Sequence, residues 1–130
     1  MAVVVQFDGA CFGNPGPMGI GVAVIKDGKV VKKVSEGIGR GTNNIAEYSA
    51  VIRGLKEAAK ITKEVLVEGD SELIIKQLKG SYKVKNEKLR ELYEEVKKLE
   101  KNFSSVKYAW IPREKNTVAD ELSKTGASKK

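Results

Sequence analysis

The sequence predicts one mixed α/β domain, for three reasons. Its 130 residues are enough for a single hydrophobic core and too few for two ordinary domains. The N-terminal third carries β-branched runs and the hairpin signal Asp27-Gly28, whereas later segments alternate between helical and strand periodicity. Hairpin-linked strands followed by helical crossovers are typical of a mixed sheet with helices packed on its faces. We therefore expect a single domain over residues 1–130 with the element order β-β-β-α-β-α-α-β-α.

Three strands are predicted in the N-terminal part, over residues 3–8, 19–26 and 29–38. The first is a β-branched run that ends on Asp8, and the Gly- and Pro-rich segment after it predicts a loop over residues 9–17. Asp27-Gly28 joins the second strand to the third, because a type I′ turn needs positive φ at both central positions.

The rest of the chain alternates between helices and strands. A helix is predicted over residues 45–60 from an apolar stripe, and the asparagines just before it can cap its N-terminus. The further predictions are a strand over 65–69, a short helix over 71–79, a long helix that Asn86 caps, a strand over 106–111 and a last helix that Asn116-Thr117 opens.

The composition excludes several kinds of catalysis. The chain has no histidine and one cysteine, Cys11. Ser-His-Asp and Cys-His catalysis and His-ligated zinc are therefore excluded, as is an intrachain disulfide. Any catalysis must depend on carboxylates, Lys, Arg, Tyr, Ser or a hard metal ion.

The charge favours a polyanionic partner without requiring one. The chain has 24 Lys and Arg against 17 Asp and Glu, which gives a net charge of +7. A Lys- and Glu-rich surface is equally typical of thermophile proteins that bind no nucleic acid. The apolar runs are too short to span a bilayer and no signal peptide opens the chain. We therefore expect no membrane association and a cytoplasmic or nuclear location, with cytoplasmic as our prediction.

Three of four notable acidic residues have a structural explanation when each is considered alone. Asp70 lies where a helix N-cap would lie, Asp120 follows Thr117 at capping-box spacing, and Glu47 fits a solvated helix edge. Asp8 is harder to explain, since aspartate is depleted in strands and a buried carboxylate is costly without a positive partner.

Considered together, the same four residues predict a metal site. Asp8 and Asp70 each end a predicted strand, and the ends of adjacent parallel strands meet at the edge where open sheets place their sites. Glu47 and Asp120 can reach this edge from the first turns of their helices. Clustered carboxylates repel one another and need a cation, and without His or Cys the ligands are hard oxygens, which suit Mg²⁺ or Mn²⁺.

Four ordered motifs carry a family resemblance over essentially the whole chain. They are Asp8-Gly9-Ala10 with Gly13-Asn14-Pro15-Gly16-Pro17, Thr42-Asn43-Asn44-Ile45-Ala46-Glu47, Asp70-Ser71, and Asn116-Thr117-Val118-Ala119-Asp120-Glu121-Leu122. On these residues the chain resembles type 1 ribonuclease H. The fold of that family is a five-stranded mixed sheet with the element order predicted above.

The resemblance implies an endonuclease that hydrolyses the RNA strand of RNA–DNA hybrids and leaves 5′-phosphate and 3′-hydroxyl ends. Asp8, Glu47, Asp70 and Asp120 match the four catalytic carboxylates of the family. They would hold two Mg²⁺ ions, for which Mn²⁺ is expected to substitute, one activating water and the other stabilising the leaving oxygen. The expected partner is the hybrid, with double-stranded RNA as a further candidate, and we expect a monomer.

Further positions match substrate contacts of the family. Asn14, Asn43 and Asn44 match groove contacts that can reach 2′-hydroxyls, and Arg40 and Thr42 match residues near a DNA-strand phosphate. Turn and cap chemistry explains these polar residues equally well.

Two departures from the family pattern concern turnover and affinity. The loop before Asp120 has no histidine, so Arg113 or Glu114 is the candidate substitute in turnover. Residues 80–85 stand where many bacterial relatives have an extra basic helix, so affinity for the hybrid would depend on scattered lysines.

Two other functions compete with the hybrid nuclease. One is a non-catalytic module of the same fold that binds hybrids or double strands, but clustered acids facing phosphates give a pure binder no advantage. The other is a related metal nuclease that acts on double-stranded RNA or DNA junctions. Phosphate-loop nucleotide binding is weakly supported, because no Lys-Ser or Lys-Thr follows the glycines between Gly13 and Gly21.

Overall fold

The computed structural model describes residues 3–128, which form five strands and four α-helices. The strands are β1 (Val3–Cys11), β2 (Gly16–Lys26), β3 (Lys29–Gly41), β4 (Glu64–Gly69) and β5 (Ser105–Trp110). The helices are α1 (Asn43–Ala58), α2 (Glu72–Leu78), α3 (Glu87–Glu100) and α4 (Thr117–Ser128), and a 3₁₀ turn at Arg113–Lys115 precedes α4. The predicted mixed α/β class and element order are confirmed.

The strands form one sheet in the order β3-β2-β1-β4-β5. The two hairpins of β1, β2 and β3 are antiparallel, whereas β1 pairs with β4 and β4 with β5 in parallel. β1 and β4 are therefore parallel neighbours at the centre of the sheet. The residues at and after their carboxyl ends share one edge.

Helices cover both faces of this sheet. On one face, Gly54 of α1 approaches Val5 and Val22 closely. On the other face, a Cβ at Gly19 or Gly21 would collide with the backbone of α4. Successive strand residues point to opposite faces, so the glycines of β2 let α4 pack closely on the face opposite α1. The main core lies between the sheet and α1, with α3 packed against α1.

The turn and capping signals of the sequence correspond to observed local structure. Asp27 and Gly28 have φ angles of 52° and 81°, as the hairpin between β2 and β3 requires. Asn86 caps α3 as predicted, accepting from the Leu89 N–H at 3.1 Å. One capping interpretation was wrong, because Ser71 and not Asp70 caps α2, accepting from the Ile74 N–H at 3.4 Å.

The predicted ends of two strands and the predicted cap of α1 were wrong, and strand pairing explains the two strand ends. Asp8 does not end β1, because Gly9–Cys11 continues the ladder against β2 and replaces the first part of the predicted 9–17 loop. β3 runs on to Gly41, which pairs with Gly16. Thr42 rather than an asparagine caps α1, since its Oγ1 accepts from the Ile45 N–H at 3.3 Å.

Within residues 3–128, none of the helices combines the length and the apolar character that a membrane crossing requires.

Candidate active site

Three acidic side chains from different parts of the chain meet at one edge of the sheet. Asp8 lies in β1, Glu47 in α1 and Asp70 directly after β4, and each offers a carboxylate oxygen within 4.8 Å of the other two. Asp8 and Glu47 are only 7% and 8% exposed, and Asp70 is half-buried. This oxygen-only donor set fits a hard divalent cation such as Mg²⁺.

Gly9 allows β1 to approach the first turns of α1. A Cβ at this position would lie 2.3 Å from the Glu47 backbone nitrogen and 2.4 Å from the Ala46 carbonyl carbon. The Gly9 N–H donates to Glu47 Oε1 and, at 3.0 Å, to Asp8 Oδ1. One backbone donor thus holds two of the three carboxylates side by side.

Asp120 joins the cluster from α4 and lies beside Asp8. It stands outside the set of three whose oxygens converge, and its carboxyl group interacts with that of Asp8. Ser123 links the two positions, because its Oγ lies 3.4 Å from Asp8 Oδ2 and 2.8 Å from the Asp120 carbonyl oxygen. All four predicted carboxylates are therefore at one edge of the sheet, with Asp120 on its α4 side.

The buried carboxylates favour the protonated state when no cation is present. Burial raises the pKa of Asp8 to about 7, with the nearby carboxylates of Asp70 and Asp120 adding to the effect. Burial and the charge of Asp8 raise the pKa of Glu47 well above its usual range. A divalent cation would reverse both effects by stabilising the ionised forms.

The fourth carboxylate behaves differently. Burial raises the pKa of Asp120, but its hydrogen bonds with Asp8 and Lys124 lower it more, so the net change is downward. Lys124 Nζ lies 3.1 Å from Asp120 Oδ2, one helical turn along α4. Asp120 therefore ionises more easily than the neighbouring Asp8.

A hollow of about 180 Å³ lies beside the cluster. Acidic and basic side chains both line it: Asp8, Asp120, Arg113 and Lys124, together with Asn43. Arg113, a candidate turnover residue, thus faces the site. Glu114 is an exposed residue of the same 3₁₀ turn and does not line the hollow.

The predicted substrate contacts divide into two groups. Asn14 Oδ1 accepts from the Asn43 N–H at 3.0 Å, which ties the loop after β1 to the start of α1 beside the hollow. Thr42 caps α1, and Asn44 is half-buried in its first turn. Arg40 lies apart from the carboxylates and lines a separate hollow of about 540 Å³ with Phe12, Met18 and Ala127.

Three residues of the site were not predicted to contribute to it. Ser123 and Lys124 contact Asp8 and Asp120, and their spacing from Asp120 by one helical turn was the signal available in the sequence. Asn116 was predicted to open the last helix and belongs to the fourth family motif, but no role in the site was predicted for it. Its buried side chain nevertheless reaches Phe7 and Asp70. Those contacts span more than 40 residues, and no local pattern indicates them.

The chain matches known proteins over nearly its whole length. A family model described as "Reverse transcriptase-like" matches residues 6–126. "Ribonuclease HI" of Haemophilus ducreyi is 37% identical over 138 residues, covering 93% of this chain and 87% of that protein. "Bifunctional protein Rv2228c" of Mycobacterium tuberculosis is 41% identical over 126 residues, and the chain, 95% of which is covered, spans about a third (35%) of its length.

One similar solved structure contains a bound nucleic acid. LC11-RNase H1 in complex with an RNA/DNA hybrid superposes with a TM-score of 0.91 at 38% identity, covering 96% of each chain.

Proposed function

The chain belongs to the ribonuclease H family, and we propose on this basis that it is an endonuclease that hydrolyses the RNA strand of RNA–DNA hybrids. The observation that carries the proposal is the convergence of Asp8, Glu47 and Asp70, with oxygens within 4.8 Å of one another and Asp120 alongside. Buried carboxylates in this number need a cation, and the surrounding basic chain suits a polyanion.

The four carboxylates would hold two Mg²⁺ ions, with Mn²⁺ as a substitute. Bound there, the ions would supply the Lewis acidity for in-line attack of water at phosphorus, with 5′-phosphate and 3′-hydroxyl ends as products. Asp8, Glu47 and Asp70 would bind from the sheet and α1, and Asp120 from α4. The Gly9 N–H and the Ser123 hydroxyl orient these carboxylates, so their geometry is largely set before substrate binds.

The asparagines beside the hollow would position the hybrid. Asn43 lines the hollow and Asn14 holds its backbone, so the exposed amides of this pair can meet 2′-hydroxyls in the minor groove. Arg40 and Thr42 would bind a phosphate of the DNA strand farther along the duplex. Reading one strand by its hydroxyls and the other by a phosphate would distinguish a hybrid from a DNA duplex.

The basic residues beside Asp120 would act in turnover. Arg113 faces the hollow, and its positive charge helps lower the pKa of Asp120. We assign to Arg113, with Glu114 next to it, the role of neutralising the cleaved phosphate as it leaves.

The proposed nuclease would be a single domain over residues 1–130 that acts as a monomer in the cytoplasm. Residues 1, 2, 129 and 130 of that domain lie outside the described part of the chain.

A cleavage panel tests the proposed function. Wild-type protein with Mg²⁺ at low salt should cut a labelled RNA–DNA hybrid and leave 5′-phosphate ends, and double-stranded DNA and both single strands should stay intact. Asp8→Asn should lose activity by a factor of about 10³ or more, whereas the hairpin variant Asp27→Asn should cut normally.

The alternative functions are distinguished in the same panel. Binding of the hybrid without cleavage by wild-type protein would identify a non-catalytic module. Faster cleavage of double-stranded RNA than of the hybrid would identify a related metal nuclease. Either result overturns the proposal.

A further inference from the structure

Asn116 is fully buried, with 0% of its surface exposed, where β1, Asp70 and α4 meet. Its Nδ2 donates to the Phe7 carbonyl at 2.9 Å and to Asp70 Oδ2 at 3.4 Å. Its backbone carbonyl accepts from the Asp120 N–H at 3.0 Å. One residue therefore touches the chain next to Asp8, the side chain of Asp70 and the backbone of Asp120.

The side-chain oxygen of Asn116 shows that fold stability alone does not favour an amide here. Asn116 Oδ1 is buried and has no hydrogen-bond partner among residues 3–128. An unpaired buried acceptor is destabilising, and an apolar residue of similar size would avoid that cost. The contacts that offset it are those of Nδ2, and both lead to the carboxylate cluster.

The orientation of the Asp70 carboxylate depends on the Asn116 amide more than the orientations of Asp8 and Glu47 do. Asp8 contacts the Gly9 N–H and Ser123, and Glu47 contacts the Gly9 N–H. Within residues 3–128, the hydrogen bond to the Asp70 carboxylate comes from Asn116. Asp70 is half-buried just beyond the end of β4. Trp110 Nε1 donates to its backbone carbonyl at 3.1 Å, a contact that does not fix the rotation of the carboxylate.

We propose that Asn116 is a positioning residue that orients the Asp70 carboxylate toward the shared cation site and fixes its spacing from Asp8 and Asp120. The role rests on the proposed nuclease function and acts through Asp70, since Asn116 itself is fully buried. Donating to Oδ2 restricts the rotation of the Asp70 carboxyl group, so that its oxygens face Asp8 and Glu47. A partner of this kind commonly changes metal affinity or activity by about 10–100-fold when it is removed.

Two variants separate positioning from structural support. Asn116→Ala removes the side chain, and Asn116→Leu removes the donor while filling most of the space. Both should weaken Mg²⁺ binding, measured by calorimetry without substrate, by about tenfold or more. Both should lower kcat for the hybrid by a similar factor and leave KM within about twofold, whereas the exposed-loop control Asn102→Ala should change none of these quantities.

A double-mutant cycle tests whether Asn116 acts through Asp70. The rise in melting temperature on adding Mg²⁺ should be reduced by Asn116→Leu in the wild-type background and unaffected by it in the Asp70→Asn background. Equal effects in both backgrounds, wild-type Mg²⁺ affinity in both Asn116 variants, or unfolding of both variants without metal would each overturn the proposal. Failure of wild-type protein to cut the hybrid would overturn only the proposed function, because the Mg²⁺ measurements need no substrate.

Discussion

At the scale of single residues, the two buried carboxylates are destabilising to the fold when no cation is bound. Asp8 and Glu47 are buried beside one another, and their pKa values are raised chiefly by that burial. The positive charge of Lys124 reaches Asp120 rather than these two. A bound cation would relieve this repulsion, so the protonation of Asp8 should respond to cation binding.

The stability of the metal-free protein should fall as pH rises from about 4 to about 7. The pKa of Asp8 is about 7 in the folded protein and about 3.9 in an unfolded chain, so the folded state binds more protons between these values. The penalty starts above the unfolded pKa and is complete above the folded one. Asp8→Asn should therefore raise the free energy of unfolding at pH 8, by about 4 kcal/mol at most, and leave it nearly unchanged near pH 4.

Urea unfolding in a chelator across this pH range provides the measurement. The matched control is Asp27→Asn, which removes the same charge at an exposed turn and should leave the pH dependence intact. Saturating Mg²⁺ should raise the melting temperature of wild-type protein at pH 8 and of Asp8→Asn much less. Parallel pH profiles for wild type and Asp8→Asn would show that Asp8 is not buried as described.

At the scale of elements, the site depends on how closely two helices approach the sheet. Gly9 admits the start of α1, which carries Glu47, and Gly19 and Gly21 admit α4, which carries Asp120 and Ser123. The absence of a side chain at these positions thus determines how close the helix-borne groups lie to Asp8. Packing and the geometry of the carboxylate cluster are therefore coupled there, although none of the three glycines carries a functional group.

Gly21→Ala should impair both stability and cleavage. Its Cβ would lie 2.1 Å from the Ala119 carbonyl oxygen and 2.5 Å from the Ser123 nitrogen, so α4 must move away from β2. We expect a loss of roughly 1–3 kcal/mol in the free energy of unfolding and a lower kcat that saturating Mg²⁺ does not restore.

The matched control for this substitution is Gly41→Ala. The new Cβ would meet only the flexible end of Met18 and, at 3.6 Å, a methyl group of Ile45, so stability and kcat should stay close to wild type. Thermal unfolding and single-turnover cleavage distinguish the two variants. A fully active Gly21→Ala would show that the position of Asp120 does not depend on close packing of α4.

At the scale of the whole molecule, a net charge of +7 surrounds a locally acidic site. On the proposed function, the positive potential of the chain would attract the polyanionic substrate, and the carboxylates would hold the cations that meet its backbone. Arg40 and Lys29 lie near opposite ends of β3, roughly 35 Å apart at the rise of an extended strand. Arg40 pairs with Pro17, close to the loop after β1, whereas Lys29 pairs with Lys26 at the far hairpin. On the proposed function, only Arg40 would therefore contact the bound duplex.

Binding of the hybrid should weaken steeply with salt. Each phosphate contact that is lost should lower the slope of log affinity against log salt by about 0.9 for a duplex. Arg40→Gln should therefore reduce the slope by about 1, and Lys29→Gln should leave it unchanged. Equilibrium binding of a labelled hybrid to the Asp8→Asn protein at several salt concentrations measures this, and equal slopes for the two variants would remove Arg40 from the interface.

The sequence alone determined the order of the elements and the identity of the four carboxylates. Hairpin chemistry at Asp27-Gly28, the cap at Asn86 and helical periodicity are local signals. The motifs that contain the four carboxylates are likewise short and ordered along the chain. Local signals do not determine where a strand stops. Asp8 lies inside β1 because residues 9–11 pair with β2, which is a long-range interaction.

The groups that contact the carboxylates could be identified only from the tertiary structure. Asn116 reaches Phe7 across 109 positions of the sequence and Asp70 across 46, and Ser123 reaches Asp8 across 115. The fold likewise placed Arg113 beside the hollow and Arg40 apart from it. The physical reason is that parallel pairing of β1 with β4, and close packing of α4 on the glycines of β2, bring together residues whose spacing in the chain carries no periodic signal.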